Sequence, residues 1–171
     1  MLKVYCARGM TGRIMEEVVK EAKVQRRILQ HHGIQVLDPV LEEGVKPKKK
    51  KLISSYYKMV KYWKRDKQMI RESDIIFDMT PWLKSEGVSH ELGYARYFLW
   101  KPIIRVYWDG EKPSMSSIAY FEDDLIVDSL KEAIEESKER WGTFWKRFWW
   151  RYSIYSRCWV KAFWYKLKEW F

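Results

Sequence analysis

Residues 73–108 read SDIIFDMTPWLKSEGVSHELGYARYFLWKPIIRVYW, and their grammar decides the fold. Ile75, Ile76 and Phe77 form a short apolar run suited to a strand buried on both faces. Pro81 cannot continue a ladder, so the strand ends within Asp78-Met79-Thr80-Pro81. A polar loop carrying Ser85 and Gly87 follows, and a helix is expected from near Val88. Pro102 closes the gap to a second apolar run, Ile103-Ile104-Arg105-Val106-Tyr107. Strand, loop, helix, strand is a βαβ crossover, and in open α/β sheets ligands bind at the carboxyl ends of the strands. Residues 78–91 sit at that end. Glu91 is expected in the first turn of the helix, where the macrodipole keeps a carboxylate ionised. An ionised carboxylate held over a pocket is a candidate nucleophile. Taken alone, Glu91 reads more simply as a capping-type acid.

Upstream, residues 2–7 alternate as a strand and turn at Gly9 and Gly12. Residues 14–32 carry Ile14, Val18, Ala22, Ile28 and Leu29 at helical spacing, and Gly33 stops the helix. A glycine loop entering a helix offers free N–H groups to a phosphate, and Arg8 or Arg13 adds a charge-assisted contact. The pattern is not the dinucleotide fingerprint, and a tight βα turn explains it equally well. His31 and His32 lack a Cys or His partner at ligand spacing and read as surface residues.

Ile34–Leu37 is a second short strand, ended by Asp38-Pro39. Five lysines and a proline in residues 46–51 read as a solvated loop or, more sharply, as one facing phosphate or lipid. Residues 54–72 are helical, with Tyr56, Met59, Val60, Trp63 and Ile70 on a common side. In that helix the positions three and four away from Asp66 hold Tyr62, Trp63, Met69 and Ile70, so the usual intrahelical ion pair has no partner. Residues 125–141 contain a last helix, with Ile126, Leu130 and Ile134 inward and Glu132, Glu135, Glu136 and Glu139 outward.

The 171 residues suit one domain with a real core, and the net charge of +10 calls for an anionic partner. Two distant cysteines, Cys6 and Cys158, make no disulfide framework, so a reducing, cytoplasmic compartment is expected. Lys3, Arg8 and Arg13 interrupt any apolar run at the start, so no secretory leader is expected. Nor is there an uncharged apolar stretch of the ~18 residues a spanning helix needs. No metal or redox cofactor is implied, because no ligand cluster is visible.

The segment Ser85-Glu86-Gly87-Val88-Ser89-His90-Glu91-Leu92-Gly93-Tyr94-Ala95 resembles the signature of the nucleoside 2-deoxyribosyltransferase family and its nucleotide N-glycosidase relatives. Residues 65–70 and 73–76 are similar to the family's helix bearing a sugar-binding Asp and to its central strand. Residues 4–13 are similar to its first strand and glycine-bearing loop. The resemblance covers roughly residues 1–140, taken as a catalytic domain. It implies a Rossmann-like (flavodoxin-like) parallel sheet flanked by helices, with an N-glycosidic bond as the target. Glu91 and Asp66 are its implied catalytic pair, with Tyr5, Gly9, Gly12, Arg13, Asp78, Ser85, Gly87 and Ser116 around the substrate. It further implies a homodimer or higher homo-oligomer, in which Ser116 or Ser117 of one copy reaches a ligand phosphate in the other.

Where nucleoside-using members carry an Asp six residues before the catalytic Glu, this chain has Ser85. A carboxylate repels a 5′-phosphate, whereas a hydroxyl can donate to it. The departure tilts the expected substrate toward a nucleoside 5′-monophosphate. Base exchange between deoxynucleosides is the alternative. A nucleotide sensor without turnover, or a membrane- or nucleic-acid-binding module, is the alternative of another class.

Residues 141–171 lie outside the resemblance and hold seven of the 11 tryptophans. On a helical wheel Trp141, Trp145, Phe148, Tyr152, Tyr155, Trp159, Phe163 and Trp170 fall near one stripe, with basic residues largely opposite. This extension reads as an amphipathic helix in peripheral contact with a membrane, or as one packing its aromatic face on protein. Nucleic acid is the least favoured partner.

Overall fold

The computed structural model describes residues 1–10, 12–42, 55–80, 85–107, 125–143 and 146–153, with side chains from residue 60 onward in the third stretch. Five strands, β1 Leu2–Ala7, β2 Ile34–Leu37, β3 Ile75–Asp78, β4 Ile103–Val106 and β5 Leu125–Val127, form one sheet. Its order is β2-β1-β3-β4-β5, and every pairing is parallel. This is the flavodoxin-like, doubly wound order, whose strand sequence reverses direction between β1 and β3. The helices are α1 Met15–His31, α2 Pro39–Glu42, α3 Ser55–Glu72, α4 Glu86–Gly93 and α5 Leu130–Trp141.

Both faces of the sheet are covered, so the central strands are apolar in runs rather than in alternation. On one face Val4, Cys6, Ile75, Phe77, Ile104 and Val106 meet Leu29 of α1 and Leu130, Ile134 and Trp141 of α5. On the other, Tyr5, Ala7, Ile76 and Ile103 meet Met69 and Ile70 of α3 and Val88 and Leu92 of α4. Phe77 is fully buried in the first layer. Truncating such a side chain to alanine costs about 3–5 kcal/mol.

Several boundaries differ from the sequence reading. Leu125-Ile126-Val127 is an edge strand paired with β4, and Ile126 is exposed rather than inward. Helix α5 starts only after it, where Ser129 Oγ accepts the Glu132 N–H and Glu132 Oε2 accepts the Asp128 N–H. Ile14, at the N-cap of α1, and Ile28 within it are exposed, and Gln25 is buried instead. Gly33 ends the strand-bound turn with φ +74°, the left-handed conformation that favours glycine. Helix α4 begins two residues before Val88 and widens into a π-turn over Tyr94–Phe98.

Helix α5 stops at Trp141, and residues 146–153 form a separate helical segment beyond Gly142. Trp141 is thus a core residue, 2% exposed, whereas Phe148 and Tyr152 from the same sequence stripe stand in solvent. No described helix is long and apolar enough to cross a membrane.

Candidate active site

Parallel strands β1 and β3 are neighbours that lead to helices on opposite faces, and a cleft opens at their carboxyl ends. Its floor and one wall come from Cys6, Arg8 and Met10 at the end of β1, with Pro39 and Val40 of α2. Tyr62, Arg65 and Asp66 of α3 and Glu91 of α4 form the opposite wall. The cleft holds about 460 Å³ of empty space, open water at its mouth included.

Glu91 and Asp66, 25 positions apart in sequence, are brought together here. Glu91 stands in the second turn of α4, not the first, and the helix N-terminus does not hold it ionised. Its carboxyl is pushed up to about 8, first by burial and then by the negative charge of Asp66. The Tyr5 hydroxyl and the Arg65 guanidinium pull the other way without cancelling these effects. Burial and the Asp66 charge therefore favour the protonated Glu91 carboxyl, against the expectation that the helix N-terminus holds it ionised.

Asp66 has an ion-pair partner after all, in the residue beside it. Arg65 Nη2 and Nε lie 2.8 and 3.0 Å from Asp66 Oδ1. Adjacent helical positions point 100° apart, and it is the length of the arginine that lets its guanidinium fold round, passing over the Tyr62 ring at 5.4 Å. Tyr5 is fully buried, and its hydroxyl completes no hydrogen bond among the described residues. It is close enough to feel Glu91 electrostatically, and burial followed by Glu91's charge drives its ionisation far above the ordinary tyrosine range. Tyr5 thus presents a neutral O–H toward the acid.

The glycine loop is tied to the end of β3: the Gly9 N–H donates to Thr80 Oγ1 at 2.6 Å. Gly12 adopts φ +76°, so its lack of a side chain is required by the turn itself. Arg8 donates to Asp38 at 2.9 Å and to Glu21 at 3.3 Å, and Arg13 is paired with Glu21. Asp38 also accepts the Val40 N–H at 3.1 Å, which starts α2 and sets Pro39 and Val40 in the cleft wall. Gly12 and Arg13 are not among the residues lining the cleft.

Asp78 lies in the sheet rather than in the cleft wall. It is held by Arg105, its cross-strand partner on β4, at 3.1 Å. Ser85 is the N-cap residue of α4, and its hydroxyl makes no capping bond to the helix. A Cβ at Gly87 would meet Ser85 Oγ at 3.8 Å, an ordinary contact. Ser116, Ser117, Cys158 and the lysine-rich residues 46–51 lie outside the described residues. Among the described residues no group of His, Cys, Asp or Glu could hold a metal ion. Tyr62 was missed in the sequence, although it sits one helical turn before Asp66 and that spacing was the available signal.

The fold and cleft define a doubly wound α/β domain with an acid pair at its strand-order reversal. Among solved structures it is similar to the 2-deoxyribosyltransferase of Bacillus psychrosaccharolyticus, with a TM-score of 0.55 and 22% identity over 77% of this chain and 90% of that one. A conserved protein from Enterococcus faecalis V583 aligns with a TM-score of 0.54 and 18% identity, over 82% of this chain and 99% of that one. A CMP N-glycosidase from Clostridium botulinum aligns with a TM-score of 0.47 and 18% identity, over 80% and 98% of the two chains. The first two likenesses establish a shared fold. No family model matches the chain, and no curated protein matches it.

Proposed function

We propose that the protein breaks, or exchanges the base across, the N-glycosidic bond of a nucleoside 5′-monophosphate, with Glu91 as nucleophile. The observation that carries this reading is the convergence of Glu91 and Asp66 on one cleft at the carboxyl ends of β1 and β3. Cleavage of an N-glycosidic bond develops positive charge on the sugar, and an anion beside C1′ stabilises it. Burial, and then the neighbouring Asp66 charge, make an ionised Glu91 costly. Positive charge developing on the sugar beside them relieves that cost as the barrier is crossed, so the stabilisation is selective for the transition state.

In the first step the Glu91 carboxyl gives up its proton to solvent and its carboxylate bonds to C1′, while the C1′–N electron pair leaves with the base, which takes up a proton from solvent. In the second, water attacks C1′, releases the sugar phosphate and returns the carboxylate, its spare proton passing to solvent. A second base in place of water gives transfer. Asp66, steadied by Arg65, orients the sugar hydroxyls, and the neutral Tyr5 O–H supports the ionised form of Glu91. The uncapped Ser85 hydroxyl and the chain's net charge of +10 support a phosphate-bearing substrate over the bare nucleoside. A homodimer in which Ser116 meets that phosphate from the neighbouring copy belongs to the same proposal.

The test is incubation with a panel of nucleosides and 5′-monophosphates, followed by detection of free base. Release from monophosphates in preference to nucleosides is expected. Release from neither, with the folded wild-type protein, would overturn the proposal.

A further inference from the structure

The helical segment 146–153 is pinned to the domain by one side and presents an aromatic face on the other. Arg147 Nε pairs with Asp74 Oδ1 at 3.2 Å, and Arg147 Nη1 donates to the Trp141 carbonyl at 2.9 Å. The Trp150 ring stands edge-on to the buried Trp141 at 5.9 Å, and the Arg96 guanidinium lies 5.6 Å from the Trp150 centroid. These contacts use positions 147 and 150, which share one side of a helix. Positions 148, 149 and 152 face away, with Phe148 48%, Trp149 62% and Tyr152 58% exposed. Their rings touch in a run, Phe148 to Trp149 at 5.9 Å and Trp149 to Tyr152 at 6.1 Å. Anchoring of this kind fixes three large aromatics in water rather than letting them fold back.

Charge identifies what covers them. Residues 141–171 contain seven basic residues and one acidic residue, so more than half of the chain's net +10 lies in its last 31 positions. Lys146 and Arg151 are exposed beside the aromatic run. A symmetric contact between two copies sets the same patch against itself, and this one brings like charges together. An anionic bilayer surface instead offers phosphate oxygens to the basic side chains and an interfacial layer to Trp and Tyr.

We propose that this face docks peripherally on anionic lipid bilayers, with Phe148, Trp149 and Tyr152 at headgroup depth. Asp74, which holds the segment, precedes β3 and accepts the Lys3 N–H, so the docking face lies at the end of the sheet where the strands begin. The cleft opens at the opposite end and stays accessible when the protein is bound. This inference stands independently of the reaction assigned to the cleft.

The test is sedimentation of the full chain with vesicles of phosphatidylglycerol in phosphatidylcholine, and with phosphatidylcholine alone. Binding to the anionic vesicles is expected, at least tenfold weaker on neutral ones and weakened by salt. The F148A/W149A/Y152A variant, whose changes are at exposed positions, should keep its circular dichroism spectrum and lose at least tenfold in vesicle binding. Lys146→Glu with Arg151→Glu should weaken binding and flatten its salt dependence. Absence of vesicle binding, or equal binding by wild type and the triple variant, would overturn the proposal. So would a change of mass by light scattering in the triple variant, which would assign the face to a second copy. Aromatic-dependent binding of a single-stranded oligonucleotide without vesicle binding would overturn it in favour of nucleic acid.

Discussion

Two carboxylates on the same face of the sheet, the buried Asp78 and the half-buried Glu91, are partnered differently. Asp78 has a cation in register on the next strand: Arg105 is 3.1 Å away, and the two side chains are only 7% and 2% exposed. Burial still pushes the Asp78 carboxyl up to about 6, with Arg105 and the Thr80 N–H drawing it back. Among the described residues Glu91 has no cation paired to it in register, and the Tyr5 hydroxyl and Arg65 offset its burial only in part. Its strongest charged neighbour is another carboxylate, and its carboxyl rises to about 8. Where the fold needs an acid for structure it supplies a partner, and where an acid faces the cleft it supplies a rival. A titration displaced by burial and like charge in a cleft is the environment in which catalytic acids are found, and it supports the role proposed for Glu91.

The largest effect separating the two should come from Glu91→Gln. Steady-state base release should fall by about a thousandfold or more, as expected for loss of a covalent nucleophile. The same substitution should stabilise the fold at alkaline pH. Because the folded carboxyl is held above its ordinary 4.5, the folded state keeps a proton the unfolded chain has lost. Wild-type stability therefore falls as pH rises from that value through about 8, and the thermal midpoint of the variant should overtake it across this window.

Arg105→Leu comes next. Removing one member of a buried pair costs about 3–5 kcal/mol when the other stays charged. Asp78 can escape by protonating, so denaturant titrations should show a smaller deficit at pH 5 than at pH 8. An equal deficit at both values would mean that Asp78 is not the group left behind. Asp66→Asn removes the main charge that raises Glu91, so the pH limb of activity assigned to Glu91 should move to lower pH by about one unit, 1.4 kcal/mol. A limb that stays in place would detach Asp66 from Glu91. The smallest effect is Ser85→Asp, which should weaken use of monophosphates roughly tenfold through repulsion of the phosphate and spare nucleosides.

Much of the fold was legible because it rests on apolar runs and breakers. β1, β2, β3 and β4 stand where Leu2–Ala7, Ile34–Leu37, the Ile75 run and the Ile103 run placed them. β5 escaped because three apolar residues directly before a helix share its periodicity, and only pairing with β4 identifies them. At the site, the pairing of Asp66 with Glu91 was implied by the family resemblance alone, and the two residues line one cleft. What could not be read was their electrostatics. Linear spacing gave Glu91 a helix dipole, but the turn it occupies and the charge beside it are properties of the packed structure. Only positions three and four away from Asp66 were weighed for an ion pair, and the long guanidinium arm of the adjacent Arg65 reaches it instead. Trp141 was grouped with Phe148 and Tyr152 by a wheel that assumed one continuous helix, whereas the break after Trp141 sends it into the core.

The most direct measurement is a ¹³C NMR titration of the side-chain carboxyls in the wild-type protein and in Asp66→Asn. Glu91 is expected to titrate near 8 and Asp78 near 6 in the wild type, with only Glu91 falling markedly when Asp66 is neutralised. A Glu91 carboxyl that titrates near its ordinary 4.5 in both proteins would contradict the coupling of the two acids.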